Sequence, residues 1–156
     1  MHAFDVLLGR WRGQGEVPLD PPMKIATVTT IERLGEFVVI RSVGEPAEVP
    51  DTLSIVGGAP EGDPQPMHYF DDRGVKRMYL TAVDDATWSI WRHPDEDPNG
   101  VEGPGFDQRF IGQISSDGNR IEARWETTYV PAAMSPSRLA RGLTSEETRA
   151  PEPSRR

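Results

Sequence analysis

The side chains that most often do chemistry are sparse in this chain of 156 residues. It contains no cysteine, which excludes disulfides and thiol chemistry, and it has three histidines. Ser54, His68 and Asp71 would supply the nucleophile, base and orienting group of a hydrolase, but no motif surrounds them. The sequence therefore identifies no catalytic residue and does not favour an enzyme.

One acidic segment resembles part of a metal site. Residues 95–100 read Asp-Glu-Asp-Pro-Asn-Gly, which matches the first half of a calcium-binding loop. Calcium requires about six to eight oxygen ligands, and the last loop position normally supplies a bidentate Glu. That position is Phe106 here, and Pro98 interrupts the loop. The pattern therefore favours an acidic turn, and no metal site is predicted.

The charge of the chain narrows the range of partners. The formal net charge is −8 and the pI is about 4.9. Such a chain is poorly suited to bind nucleic acid non-specifically or to approach anionic membranes. The N-terminal residues do not form a signal peptide, and no apolar run reaches membrane-spanning length. We expect a cytoplasmic protein without nucleic-acid or membrane partners.

Short strand-forming segments make up most of the chain. They are rich in β-branched and aromatic residues and are separated by turn residues, among 15 Gly and 15 Pro. No long segment has the period of a helix. The predicted strands span residues 10–17, 23–31, 37–43, 52–57, 67–70, 76–83, 87–92, 106–114 and 121–129. This pattern predicts an all-β, up-and-down antiparallel barrel of nine or ten strands.

A barrel of this size holds one small apolar or amphipathic ligand among its inward side chains, or it is filled by them. The side chains predicted to point inward are Ile25, Phe37, Val39, Ile55, Tyr69, Met78, Leu80, Trp88, Ile90, Phe106, Phe110 and Trp125. All of these except Ile25 and Ile55 are predicted to bind the ligand. The alternative is a structural or interaction module without a pocket.

The first predicted strand carries the most distinctive motif, Gly9-Arg10-Trp11-Arg12-Gly13-Gln14-Gly15. A short helical turn is predicted just before it, over residues 3–6. Gly9 allows a tight backbone approach, and the Trp11 indole is predicted to plug the narrow end of the barrel. Gly13 and Gly15 mark a bend or a place where a neighbouring strand approaches closely.

This motif, with the strands that follow, resembles the opening of calycin-type barrels, the lipocalin and fatty-acid-binding superfamily. Its residue pattern, Gly-x-Trp-x-Gly-x-Gly, is especially similar to that of nitrobindin and related uncharacterised bacterial lipocalin-like domains. The resemblance extends over about residues 4–126, and its later segments are residues 69–75, 88–92 and 106–110.

The resemblance implies two further features. The alternative function that it implies is a nitrobindin-type haem protein with nitric oxide or peroxynitrite chemistry. This would require haem held by a His on a late strand, but no His follows His93. A substitute role for His68 or His93 is disfavoured, so no cofactor is predicted. In lipocalin-like barrels a late Arg packs on the first-strand Trp, and Arg109 and Arg124 are the two candidates here.

The chain departs from the resemblance after about residue 126, where relatives have one more strand that closes the barrel. We predict a barrel domain over residues 1–130 and an irregular, mobile tail over residues 131–156, with a helix as the alternative over residues 137–150. An unclosed barrel would leave two strand edges unpaired. Three arrangements would satisfy these edges: the tail pairs as an irregular strand, a second subunit covers them, or the barrel closes with nine strands. We favour the second, a homodimer.

Overall fold

A computed structural model describes residues 2–92, 106–129 and 141–149. A short 3-10 helix, His2–Leu7, precedes ten strands. The strands are β1 (Gly9–Val17), β2 (Met23–Leu34), β3 (Phe37–Glu45), β4 (Thr52–Val56), β5 (Gln65–Asp71), β6 (Lys76–Asp84), β7 (Thr87–Arg92), β8 (Phe106–Ile114), β9 (Arg120–Tyr129) and β10 (Arg141–Arg149). Within this part of the chain, no helix is long and apolar enough to cross a membrane.

The ten strands form one closed antiparallel barrel. Each strand pairs with the next in the chain, and β10 pairs with both β9 and β1. Each of the nine strands predicted from the sequence corresponds to one of β1–β9. The predicted fold class is confirmed, because alternating apolar residues and turn residues are sufficient to specify consecutive hairpins.

The tenth strand differs from the sequence prediction. The expectation of an irregular tail or a helix is wrong for residues 141–149, which form β10. Its register runs from Trp11↔Arg149 to Glu16↔Thr144 on one side, and from Arg141↔Thr127 to Thr148↔Arg120 on the other. Its own sequence has little apolar alternation. The strand forms because the unpaired edges of β1 and β9 supply hydrogen-bond partners for its backbone.

Closure by β10 also changes the argument for a dimer. The predicted homodimer rested on unpaired edges at the first and last strands. Both β1 and β9 now pair with β10, so the described sheet has no such edge. The reason for expecting a second subunit at this seam is therefore removed.

The 3-10 helix covers one end of the barrel, called here the helix end. Phe4 and Leu7 are buried under the barrel wall, and Asp5 pairs with Arg33 at the end of β2. The indole Nε1–H of Trp11 donates to the Leu7 carbonyl at 2.7 Å, and Trp11 has no exposed surface. The predicted helical turn and the predicted plug are both confirmed.

The late arginine that packs on Trp11 is neither of the two predicted. The guanidinium of Arg149, on β10, lies 5.1 Å from the centre of the Trp11 ring. It also donates to the carbonyls of Val6 and Leu8, at 3.0 and 2.9 Å. The expected contact exists, but the prediction of Arg109 or Arg124 is wrong because β10 carries the residue opposite Trp11.

Two glycines of the first-strand motif have a clear steric role. Gly9 has φ of +130°, and a Cβ there would lie 3.4 Å from Nε of Arg149. A Cβ on Gly13 would overlap the hydroxyl of Thr27 and lie 3.3 Å from Cγ of Glu147. Gly9 favours glycine because of its positive φ, and Gly13 because the Thr27 and Glu147 side chains cross over its backbone.

The register decides which residues face the interior. Cross-strand partners share a face, and burial identifies the inner one. The inner positions carry odd numbers on β1, β2, β5, β6, β9 and β10, and even numbers on β3, β4, β7 and β8. At the helix end they form a dense core of Trp11, Ile31, Val38, Val56 and Ile121, each at most 1% exposed.

We expect deletion of residues 137–156 to abolish the cooperative thermal transition, because it removes β10 and exposes the edges of β1 and β9. Circular dichroism on heating measures this. The matched control is deletion of residues 150–156, which keeps all of β10. Equal melting temperatures for the two shortened proteins would contradict a closing role for β10.

Candidate functional site

The candidate site is the barrel interior beyond the core of the helix end. Five inward-facing aromatic side chains on β5–β9, called the aromatic wall, contact one another in series, and Tyr79 on β6 reaches Trp125 on the non-adjacent strand β9. Their ring centres are 5.9 Å apart for Tyr69–Tyr79, 6.3 Å for Tyr79–Trp125, 5.2 Å for Trp125–Phe110 and 5.0 Å for Phe110–Trp88. Most pairs are edge-to-face, an arrangement favoured by the aromatic quadrupole.

Hydrogen bonds hold two rings of the aromatic wall, Trp88 and Tyr79, in place. The Trp88 indole donates to Oγ1 of Thr81 at 3.0 Å, which in turn donates to the Ser89 carbonyl at 2.9 Å. The Tyr79 hydroxyl donates to Oε1 of Gln108 at 2.7 Å. These rings are therefore fixed by packing and by their polar atoms together.

Asp71 fixes the hydroxyl of Tyr69. Its carboxylate accepts hydrogen bonds from the Tyr69 hydroxyl at 3.0 Å, from the Arg73 side chain at 2.5 Å and from the backbone N–H of Val75 at 3.1 Å. Burial opposes ionisation of Asp71, but these donors outweigh it and hold the pKa below its ordinary value. Burial and the Asp71 carboxylate raise the pKa of Tyr69, so this phenol stays neutral.

On the opposite side of the interior, small residues lie between the core of the helix end and the larger inward residues Val17, Met23 and Ile25. On β1–β3 the inward positions away from the helix end include Gly13, Gly15, Thr27, Thr29 and Ser42. We call these five the small-residue wall. The hydroxyls of Thr29 and Ser42 lie 3.0 Å apart and share a hydrogen bond. Bulky rings on one side thus face glycines and hydroxyls on the other.

A single acidic residue, Glu147, lies on the inner face of β10. Its cross-strand partners are Ile121 on β9 and Gly13 on β1. Part of the residue is accessible, but the carboxylate Oε2 is buried and has no hydrogen-bond partner within the described structure. Gly13 leaves room for this side chain beside Thr27.

Burial raises the pKa of Glu147 to about 7. The nearest cationic residue on its strand is Arg149, whose guanidinium is bound to the Val6 and Leu8 carbonyls and the Trp11 ring. The partners Ile121 and Gly13 do not titrate. The carboxyl group is therefore divided between its two protonation states near neutral pH.

The structure sorts the predicted ligand-binding residues into two groups. Tyr69, Trp88, Ile90, Phe110 and Trp125 face the interior, as does Ile25. The predicted inward orientation is wrong for five residues, which lie on the outer face: Phe37, Val39, Ile55, Met78 and Leu80. Phe106 belongs to β8, but its side chain is outside the described residues.

The errors have a physical reason. Residues 37–40 are all apolar, so alternation cannot show that Val38 and Ile40 face inward. On β6 the inward residues include Arg77 and Thr81, which are more polar than their outward neighbours. Sequence reasoning also missed Glu147, because nothing local distinguishes it from Glu146.

The candidates for metal or nucleophilic chemistry do not come together. Ser54 is buried and faces inward, whereas His68 pairs with Ile55 and is exposed on the outer face. Asp71 is occupied by Tyr69 and Arg73. Among the described residues, no group of three His, Asp or Glu could hold a metal ion. Residues 95–100, the calcium-loop candidate, are outside the described residues.

The described histidines do not fit a haem held by histidine inside the barrel. His68 points outward, and His2 lies on the surface beside Asp5 at the helix end. His93 is outside the described residues. An imidazole on the outer face cannot reach an iron in the interior.

Comparison with known proteins supports the fold alone. No family model and no curated protein matches the chain. The fold is similar to a solved structure, "Crystal Structure of Rv2717c from M. tuberculosis", with a TM-score of 0.67 over 96% of each chain. The sequence identity is 12%, so the similarity extends to the barrel fold and not to activity.

We expect Glu147→Gln to change how stability depends on pH. Below pH 4.5 the carboxyl group is protonated in both the folded and unfolded states; between pH 4.5 and about 7 it ionises only when unfolded. Wild-type stability therefore falls across this window by up to about 3 kcal/mol relative to the Gln variant. Urea denaturation at both ends of the window measures the difference.

The matched control for this measurement is Glu122→Gln, an exposed carboxylate on β9 that pairs with Arg120. Its stability difference from wild type should change little with pH, because its side chain is exposed on the outer face and a surface ion pair contributes little to stability. A constant difference for Glu147→Gln as well would show that its carboxyl group is not buried.

We also expect purified protein to be colourless and to bind no stoichiometric hemin, since no described imidazole faces the interior. Absorbance near the Soret band during a hemin titration measures this. A sharp band that disappears in His68→Ala or His93→Ala would overturn this expectation.

Proposed function

We propose that this protein is a cytoplasmic carrier or sensor that binds one small amphipathic ligand inside the barrel. The observation that supports the proposal best is the asymmetry of the interior, where the aromatic wall faces the small-residue wall. Lipocalin-like barrels bind ligands in this space by shape and apolar contact, without catalytic groups.

The side-chain sizes favour a space between the walls. Gly15 contributes no side chain, and Thr27, Thr29 and Ser42 contribute small ones, whereas Thr27 and Glu147 fill the space over Gly13. Close-packed protein cores are filled by interdigitating large side chains, as at the helix end of this barrel. Small residues on one wall leave room for the aromatic surface of the other to contact a ligand.

Solvent exposure supports entry from the end opposite the 3-10 helix. Tyr69, Trp125, Thr27 and Ser42 face inward yet keep exposed surface. In contrast, Trp11 and Ile121 near the helix end have none. A ligand would enter away from the helix and rest on the core formed around Trp11.

The polar atoms indicate an amphipathic ligand. The rings of Trp125 and Phe110 offer apolar surface, and the hydroxyls of Tyr79, Thr29 and Ser42 offer hydrogen bonds. Apolar pockets with a few placed polar groups are typical of small-molecule sites.

We expect one molecule of the neutral fluorophore N-phenyl-1-naphthylamine to bind per chain, with emission sensitised by Trp88 and Trp125. Thr27→Phe fills the small-residue wall and should lower the affinity at least about tenfold, since it removes space for the probe. Thr30→Phe is the matched control, because Thr30 is on the outer face of the same strand.

Both variants are first compared with wild type by thermal melting, so that a folding defect is recognised. Equal loss of binding in Thr27→Phe and Thr30→Phe would place the probe outside the barrel. Absence of saturable binding to wild type would favour a filled core and a module without a pocket.

A further inference from the structure

We infer that Glu147 is the recognition group for a protonated amine on the ligand, so that the barrel takes small amines with an apolar body. This inference rests on the proposed function and adds the chemical class of the ligand. The buried, unpartnered Oε2 of Glu147 on the inner face of the barrel carries it.

The position of Glu147 suits a ligand at the bottom of the accessible space. On β9, Ile121 is beside Glu147, and Ala123 and Trp125 follow on the same face. At about 3.3 Å per residue, Trp125 is some 13 Å along the strand from Ile121. A ligand with its polar end at Glu147 therefore extends its apolar body toward the aromatic wall.

Among the described residues, no cation pairs with this carboxylate. Its cross-strand partners are Ile121 on β9 and Gly13 on β1, and Thr27 on β2 lies beside Gly13. On its own strand the guanidinium of Arg149 is held by backbone carbonyls and Trp11 at the helix end. A buried carboxylate without a counter-charge is unfavourable, and a ligand cation would relieve this.

The aromatic wall suits the apolar body of such a ligand. Its rings offer apolar surface and edge-to-face contacts to a further aromatic ring. Tyr79 and Trp125 are two such rings, held edge-to-face in the wall. A neutral alcohol would use the rings but not the charge of Glu147, so the two ligand classes are distinguishable.

The amine should bind more tightly as pH rises through about 7, where burial places the pKa of Glu147. Above that pH the carboxyl group is ionised, while an aliphatic ammonium remains charged up to about pH 9. No other titratable side chain among the strand partners of Glu147 adds to this dependence.

The test compares 2-(1-naphthyl)ethylamine with 2-(1-naphthyl)ethanol by isothermal titration calorimetry at about pH 6 and about pH 8. We expect wild type to prefer the amine at least about tenfold at the higher pH and to lose most of this preference at the lower one. Glu147→Gln should bind both compounds equally at both pH values, with its affinity for the alcohol unchanged. Glu122→Gln, altered on the outer face, should behave as wild type.

Each other outcome is decisive. Equal binding of amine and alcohol by wild type, or a preference retained in Glu147→Gln, overturns the inference and leaves the proposed function standing. Binding of neither compound by wild type overturns both. If the variant does not fold, the change in wild-type preference between the two pH values decides alone.

Discussion

The contact between Arg149 and Trp11 joins the end of the barrel to its beginning. The guanidinium covers the indole and binds the carbonyls of Val6 and Leu8, while the indole binds the carbonyl of Leu7. One end of the sheet, the 3-10 helix and the last strand therefore depend on the same few atoms. Because β10 is held here, β1 and β9 both gain a partner and the sheet has a definite interior.

Closure of the barrel by β10 also buries the ionisable carboxyl group of Glu147. Two residues before Arg149 along β10, the pleat returns a side chain to the inner face, and the residue there is acidic. Gly13 gives it space, but no described group neutralises it. Such a group lowers stability near neutral pH, so its position is easier to understand as part of a binding site than as part of a core.

The fold itself says little about function. The similar structure of Rv2717c from M. tuberculosis shares the barrel at 12% identity, and inward residues are free to differ on such a scaffold. Here the interior combines an aromatic wall, a small-residue wall and one carboxylate, and its described histidines lie outside. Those inward positions, more than the first-strand motif, decide which ligands the interior can accept.

The sequence by itself determined nine strands, their order, and the plug formed by Trp11, because alternation and turn residues act locally. It did not determine β10. The polar residues of β10 form a strand only because the edges of β1 and β9 provide hydrogen-bond partners on both sides. Nor did it determine the faces of Phe37, Val39, Met78 and Leu80, since burial of a strand depends on its neighbours' register. Glu147 became visible only in three dimensions, because its burial comes from strands more than twenty residues away in the chain.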